Sequence, residues 1–194
     1  MPRRLIPPEV LLNAYAEGIF PMAESRDDDT VFWVEPKRRG ILPLDAFHIS
    51  HSLKRFMKKH PFDIRFDTDF KGVMKGCAER DETWINDIIV DSYCRLFELG
   101  FAHSVECYKD GRLAGGLYGV CLKGAFFGES MFSRETNASK TALCALVDRL
   151  KQGGFTLLDT QFLTSHLATF GGIEIPQKRY LFLLKKALRV DAVF

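Results

Sequence analysis

Three polar side chains interrupt apolar β-type segments in the second half of the sequence. Glu129 lies in one such segment, and Asp159 and Gln161 lie in a later one. Residues two apart on a strand share a face, so Asp159 should point with Gln161, and Glu129 with Phe127 and Met131. A carboxylate beside an attacking amine can take or orient its protons. We therefore expect the chemistry of this protein on these two strands.

The elements around these side chains predict one parallel crossover. Residues 113–122 and 125–132 have the composition of a hairpin. A helix follows over 138–152, and residues 155–161 form the next strand. Because a strand–helix–strand connection usually places both strands in one sheet, the two carboxylates are expected on neighbouring strands.

The chain divides by pattern into a small N-terminal domain and a larger one. A charged stretch at 36–40 marks the boundary, which gives domains over 1–38 and 39–194. In the larger part, helices alternate with hairpins and with the single crossover. This mixture predicts an α/β fold whose sheet has strands of mixed direction.

Composition excludes several classes of protein. The chain is 46% hydrophobic and 27% charged, with a net charge of +2, so it is not a general polycation. Its five cysteines include no C-x-x-C pair, which favours free thiols over a disulfide frame or a zinc site. No apolar run is long enough to span a bilayer. We expect a soluble cytoplasmic protein.

A cluster of cations lies on one predicted helix, 51–60. Its members are Lys54, Arg55, Lys58 and Lys59, without an interspersed acid. A charge run of this kind is usually a solvated helix face, which is the interpretation that the residues alone favour. The alternative is a ridge that binds phosphates.

Several long segments resemble the leucyl/phenylalanyl-tRNA–protein transferase family. They are AYAEGIFPM (14–22), FWVEPKRRGILP (32–43), HISHSLKRF (48–56), CAERDETWI (77–85), GFAHSVE (100–106), GGLYGV (115–120), FFGESMFSRETNASKTAL (126–143) and LLDTQFLTSHLATFGGIEIP (157–176). The resemblance covers most of the chain in order.

The resemblance implies transfer of Leu or Phe, and in some members Met, from aminoacyl-tRNA to the α-amine of proteins that begin with Arg or Lys. Such a transfer marks the acceptor for degradation. The implied fold is a GNAT-like acyltransferase domain after a small N-terminal domain. Since the donor is already an activated ester, no cofactor and no metal are expected. Nothing in the sequence indicates an obligate dimer or a membrane partner, so a monomer is expected.

The resemblance also implies roles for individual residues. Asp159 and Gln161 match a D-x-Q segment in which the carboxylate handles the protons of the substrate amine and the amide bridges the carboxylate and that amine. Thr160, between them, should face away. Glu129 matches a position in the aminoacyl and peptide pocket. A structural alternative for each acid is a buried pair with Arg134, Arg149 or Arg179. The apolar lining of that pocket matches Leu117, Met131, Leu146 and Leu158.

The tRNA end is expected to be held by stacking and by charge. Trp84 matches a residue that would stack on the terminal adenine. Met22 stands where the family has a second tryptophan and is a poorer stacking partner. Arg55, Lys58 and Lys59 match contacts to the tRNA acceptor stem. The resemblance therefore favours phosphate binding over a merely solvated face for that helix.

Two other functions fit part of the pattern. An acyltransferase that uses acyl-CoA needs a glycine-bearing pyrophosphate loop before the crossover helix, and residues 134–139 contain an acid and no glycine. A non-catalytic RNA-binding module would explain the cations and Trp84. It would not explain the carboxylates at 129 and 159, which repel phosphate.

Overall fold

A seven-stranded sheet carries most of the chain in the computed structural model, which describes residues 5–194. The first four residues of the predicted N-terminal domain lie outside this range. In order across the sheet, the strands are β4 (Asp63–Phe66), β5 (Ala102–Lys109), β6 (Arg112–Leu122), β7 (Ala125–Ser133), β8 (Leu157–Gln161), β3 (Arg38–Ile41) and β9 (Ile173–Pro176). Two short strands pair apart from it, β1 (Phe20–Met22) and β2 (Phe32–Val34).

Helices cover both faces of the sheet, so it has a hydrophobic core on each side. The first core lies under α1 (Pro8–Ala16), α3 (Phe70–Ala78), α4 (Asp87–Glu98) and α7 (Gln177–Ala187). The second core lies under α2 (His51–Met57), α5 (Ala138–Gln152) and α6 (Ser165–Ala168). No helix among residues 5–194 is long and apolar enough to cross a membrane.

The predicted crossover is confirmed, and with it the mixed α/β fold. Strands β7 and β8 are parallel neighbours connected by α5, but their ladder ends at the pair Phe127–Asp159. Beyond that pair, β7 continues beside β6, and Gln161 at the end of β8 pairs with Gly40 of β3. The two strands therefore separate, and a cleft opens between them.

A β-bulge sets the direction of the side chains at this cleft. Tyr118 of β6 pairs with Ser130, while Gly119 pairs with Gly128, which leaves Glu129 as an extra residue on β7. Side chains beyond a bulge change face. Met131 consequently packs against the second core, and the prediction that it shares a face with Glu129 is wrong.

Strand β3 lies where the sequence predicted a domain boundary. Residues 36–40 look like a charged linker, but β3 begins at Arg38 and runs between β8 and β9. Residues of α1, among them Leu11 and Tyr15, belong to the first core. The N-terminal segment thus packs directly on the larger part, and the division at residue 38 stays a prediction.

Close packing at the bulge predicts a stability effect for Gly119→Ala. A Cβ at Gly119 would lie 2.3 Å from the carbonyl oxygen of Phe127 and 2.4 Å from the Phe126 ring. Such overpacking should lower the free energy of unfolding by about 1–3 kcal/mol, measured by urea denaturation. The control is Gly128→Ala, whose Cβ would meet only the Asp159 carbonyl oxygen, at 3.4 Å. Equal losses in both variants would show that the bulge is not tightly packed.

Candidate active site

A pocket of about 750 Å³ occupies the cleft between β7 and β8. Because the cleft passes through the separated strands, residues from both cores reach it. Among the residues predicted from the sequence, the pocket lining contains Trp84, Leu117, Glu129, Met131, Leu146, Leu158 and Gln161. The structure therefore brings together most of the predicted site.

One half of the pocket is apolar. The four predicted apolar residues come from four different elements, β6, β7, α5 and β8, and Leu143 of α5 adds a fifth wall position. Leu143 and Leu146 are three positions apart on one face of α5, which is why the helical period placed both inward. A pocket of this composition suits an apolar or aromatic side chain.

Glu129 forms the polar floor of the pocket and is almost fully buried. The Tyr15 hydroxyl donates to its Oε1 at 2.7 Å, and the Tyr93 hydroxyl donates to its Oε2 at 3.3 Å. The two tyrosine hydroxyls also hydrogen-bond to each other. Burial raises the pKa of Glu129 to about 7, even though the Tyr15 hydroxyl and the nearby Gln161 amide lower it in part. This carboxyl can therefore gain or lose a proton at neutral pH.

Asp159 lies beneath the pocket and does not line it. Its carboxylate is fully buried and accepts from Arg39 Nε at 2.9 Å, from Arg39 Nη2 at 2.6 Å and from the Tyr180 hydroxyl at 2.6 Å. The backbone N–H of Gln161 donates to Asp159 Oδ1 at 2.8 Å. With both oxygens occupied in this way, the carboxylate has no free position for an amine.

The buried cation that holds Asp159 was not among the predicted partners. Sequence reasoning offered Arg134, Arg149 or Arg179, whereas the partner is Arg39, also fully buried. Arg134 pairs instead with the exposed Glu79. The signal that could have identified Arg39 is its place directly before the apolar residues that continue β3 into the sheet.

Gln161 connects the two carboxylates. Its φ of +62° is in the left-handed region, which costs a non-glycine residue of order 1 kcal/mol or more. The bond from its N–H to Asp159 stabilises this turn, and its side chain then points from β8 toward Glu129. Its Nε2 completes no hydrogen bond of full geometry with the described residues, so the amide keeps a donor for a ligand.

Three further polar atoms in the pocket have no hydrogen-bond partner within residues 5–194. They are the Tyr118 hydroxyl, Thr160 Oγ1 and His166 Nε2. Alternation placed Thr160 away from the site, but it borders the pocket because β8 has left β7 at this point. No sequence signal marked Tyr118 or His166, since isolated residues of these types are common in cores.

The residues predicted to hold the tRNA are divided. Trp84 lies in the pocket lining. Met22 does not; it is half-buried on β1 and packs against the first core. Arg55, Lys58 and Lys59 are exposed and lie outside the pocket. Arg55 is on α2, which ends at Met57, and the two lysines directly follow it.

The fold has counterparts among solved structures of other proteins. Among solved structures, the chain superposes on FemX with a TM-score of 0.58 and 13% identity, over 87% of this chain and 66% of FemX. It superposes on L-PGS from Bacillus licheniformis with a TM-score of 0.50 and 12% identity, over 93% of this chain and 76% of that one. At such identities the likeness concerns the fold alone.

The family follows from the sequence comparisons. The leucyl/phenylalanyl-tRNA protein transferase family matches residues 41–185, and its N-terminal domain matches residues 5–37. Leucyl/phenylalanyl-tRNA–protein transferases of Ruegeria pomeroyi and Dinoroseobacter shibae are 57% and 54% identical, over 97% and 98% of this chain and 90% and 85% of theirs. The chain belongs to this family. It is an aminoacyltransferase that moves an aminoacyl group from tRNA to protein.

The raised pKa of Glu129 predicts a pH dependence of stability. Between about 4.5, its ordinary value, and about 7, the folded protein holds a proton that the unfolded chain has released. The free energy of unfolding should therefore fall as pH rises through this range, by up to about 3 kcal/mol at 1.36 kcal/mol per pKa unit. Glu129→Gln should lack this part of the slope in urea titrations at pH 4.5–7. Glu98→Gln, at an exposed position, controls for the loss of one carboxylate, and identical slopes in all three proteins would contradict the assignment.

Proposed function

We propose that the protein transfers Leu or Phe, and also Met, from aminoacyl-tRNA to the α-amino group of proteins with an N-terminal Arg or Lys, and so marks them for degradation. The observation that carries this proposal is a single pocket that joins an apolar wall to Glu129 and Gln161. The apolar wall suits the donor side chain. The polar end suits the reacting ester and the incoming amine.

The amine attacks the ester carbonyl carbon, a C–N bond forms, and the bond to the ribose oxygen breaks. The amine loses a proton and the ribose hydroxyl gains one, so no net proton is released. Glu129 is suited to take the amine proton, because its pKa of about 7 lies close to the 7.7–8.0 of a free α-amine. As a carboxylate it also suits the cationic residue at the acceptor N-terminus.

Gln161 and Asp159 act together in this proposal. The free Nε2 donor of Gln161 orients the substrate amine or the ester, and Asp159 acts through Gln161 by holding its backbone. Enclosure of the Asp159 carboxylate by Arg39 and Tyr180 favours this positioning role over direct proton transfer. In this proposal Asp159 holds the Gln161 backbone, in place of the predicted arrangement in which Asp159 handles the amine protons through the Gln161 amide.

The donor tRNA is held in the proposal by one aromatic residue and by a charged surface. Trp84 stacks on the terminal adenine at the pocket lining, and Met22 contributes at most packing behind it. Arg55, Lys58 and Lys59 contact the acceptor stem; none of the three forms an ion pair with the described residues, so their charges are available. We also propose action in the cytoplasm as a monomer, since one chain supplies the whole pocket.

The test is transfer of radiolabelled Phe or Leu from charged tRNA to a model protein with an N-terminal Arg or Lys. A protein identical except for an N-terminal Gly is the control acceptor, and acetyl-CoA is the control donor. We expect transfer only from tRNA and only to the basic N-terminus. Acylation from the CoA donor without transfer from tRNA would overturn the proposal.

Two variants test the polar end in the same assay. Asp159→Asn and Gln161→Ala should each reduce transfer about 10²-fold, because loss of positioning can cost that much, and tRNA affinity should stay unchanged. Gln161→Ala leaves the Arg39–Asp159 pair intact, so it separates catalysis from folding. Full activity in the Gln161 variant would rule out the proposed role of its amide.

The predicted tRNA ridge is tested by Lys58→Ala/Lys59→Ala. If both cations contact phosphates, tRNA affinity should fall and the slope of log K against log salt should flatten by about one unit per contact. Filter binding at several salt concentrations measures both. An unchanged slope would mean that Lys58 and Lys59 are only solvated.

A further inference from the structure

The outer face of α7 carries charges of one sign only and lies outside the pocket. Residues 177–189 contain five cations and no acid: Lys178, Arg179, Lys185, Lys186 and Arg189. All five are exposed, and none forms an ion pair with the residues that the structure describes. We call this set the α7 basic face. Many solvated surfaces intersperse both signs, so a surface of one sign that carries no ion pairs is a candidate contact for an anionic partner.

Helical geometry makes the face continuous. Lys178, Phe182 and Lys185 follow the spacing i, i+4 and i+7, which aligns them along one side of the helix axis, and Arg189 lies in the turn directly after the helix. The opposite side is buried, since it carries Tyr180, Leu184 and Ala187 in the first core. At 1.5 Å per residue the helical part of the stripe, from Lys178 to Lys185, is about 10 Å long, enough for about two phosphates of an extended nucleic-acid strand.

The helix that presents this face is anchored at the active site. The hydroxyl of Tyr180 donates to Asp159 at 2.6 Å, and its ring lies 4.7 Å from the guanidinium of Arg39. On the other side of that guanidinium lies Phe20, whose ring packs edge-on against Phe162 at the pocket. The first turn of α7 is thus connected to the pocket through a short series of packed side chains.

An aromatic ring interrupts the cations. The Phe182 side chain is 59% exposed, and the Lys186 ammonium lies 4.6 Å from its ring centroid. Exposed rings between cations are typical of surfaces that bind nucleic acid, because bases stack on the ring while the cations contact phosphates.

We propose that the α7 basic face binds the phosphodiester backbone of the donor tRNA, in addition to the ridge on α2; this rests on the proposed use of tRNA. Charge complementarity favours a polyanion, and tRNA is the polyanion that the family's reaction supplies. A membrane surface fits less well. A helix that lies on a bilayer inserts its apolar side, whereas the apolar side of α7 is buried in the protein and leaves only Leu181 and Phe182 exposed among large apolar residues of the helix.

The test is the salt dependence of tRNA binding by Lys178→Gln/Lys185→Gln. Each cation that contacts a phosphate should remove about one unit from the slope of log K against log salt. The matched control is Lys71→Gln/Lys151→Gln, with the same change in charge at exposed positions on α3 and α5. We expect the slope to flatten by about two units in the α7 variant and to stay unchanged in the control. Circular dichroism melts check that both variants are folded.

The outcomes separate this proposal from the proposed function. If the wild-type protein binds tRNA and the α7 variant keeps the wild-type slope, the α7 assignment is wrong while transfer from tRNA stands. If the wild-type protein shows no salt-dependent tRNA binding, the proposed function fails first. Binding of the wild-type protein, but not of the variant, to vesicles of anionic phospholipid, with an unchanged tRNA slope, would show that the partner is a membrane. Since α2 and α7 lie on opposite sides of the sheet, losses from the two surfaces should add.

Discussion

The buried ion pair between Arg39 and Asp159 fixes the geometry of the site. Its partners come from three distant parts of the chain: β3, β8 and, through Tyr180, α7. Arg39 Nη1 also donates to the carbonyl of Gly18, shortly after α1, at 2.9 Å. Loss of one partner from such a pair leaves an uncompensated buried charge, which typically costs about 3–5 kcal/mol. The pair therefore specifies how these four elements meet.

The same pair explains why the sheet can open beside it. Parallel strands ordinarily satisfy their backbone groups through a continuous ladder, and the β7–β8 ladder ends after three residue pairs. The end of β8 is held instead by pairing with β3 and by the bond from Gln161 N–H to the Asp159 side chain. A strand end that is stabilised by other partners can leave its neighbour, and the pocket occupies the space that results.

The sequence predicted the local features of the site, and the structure added those that depend on distant residues. The helical period was sufficient to place Leu146 on the inner face of its helix, because that placement depends on one element alone. The pocket roles of Leu146 and Leu158 came from the family resemblance. Arg39, Tyr15 and Tyr93 could not be found in this way. They reach the carboxylates from segments 36 to 120 residues away, and each looks like an ordinary surface or core residue in its own segment.

The bulge at Glu129 shows a second limit. A strict period of two predicts that Met131 follows Glu129 onto the same face, and one extra residue reverses that outcome. The bulge also has a consequence for the chemistry, since it allows an apolar residue and a carboxylate from one short stretch to reach the same pocket from different sides. The alternation of polar and apolar residues does not show where the extra residue of a β-bulge will lie.

Two buried carboxylates within one site thus have opposite environments. Asp159 is paired with the Arg39 guanidinium and also accepts from the Tyr180 hydroxyl and the Gln161 N–H. Glu129 receives only neutral hydroxyl and amide donors nearby, and burial raises its pKa to about 7. When environments separate two acids in this way, the compensated acid suits a fixed positioning charge and the uncompensated acid suits exchange of a proton. This division accounts for the presence of both acids, since a single carboxylate could not be enclosed by Arg39 and also lie open to the pocket.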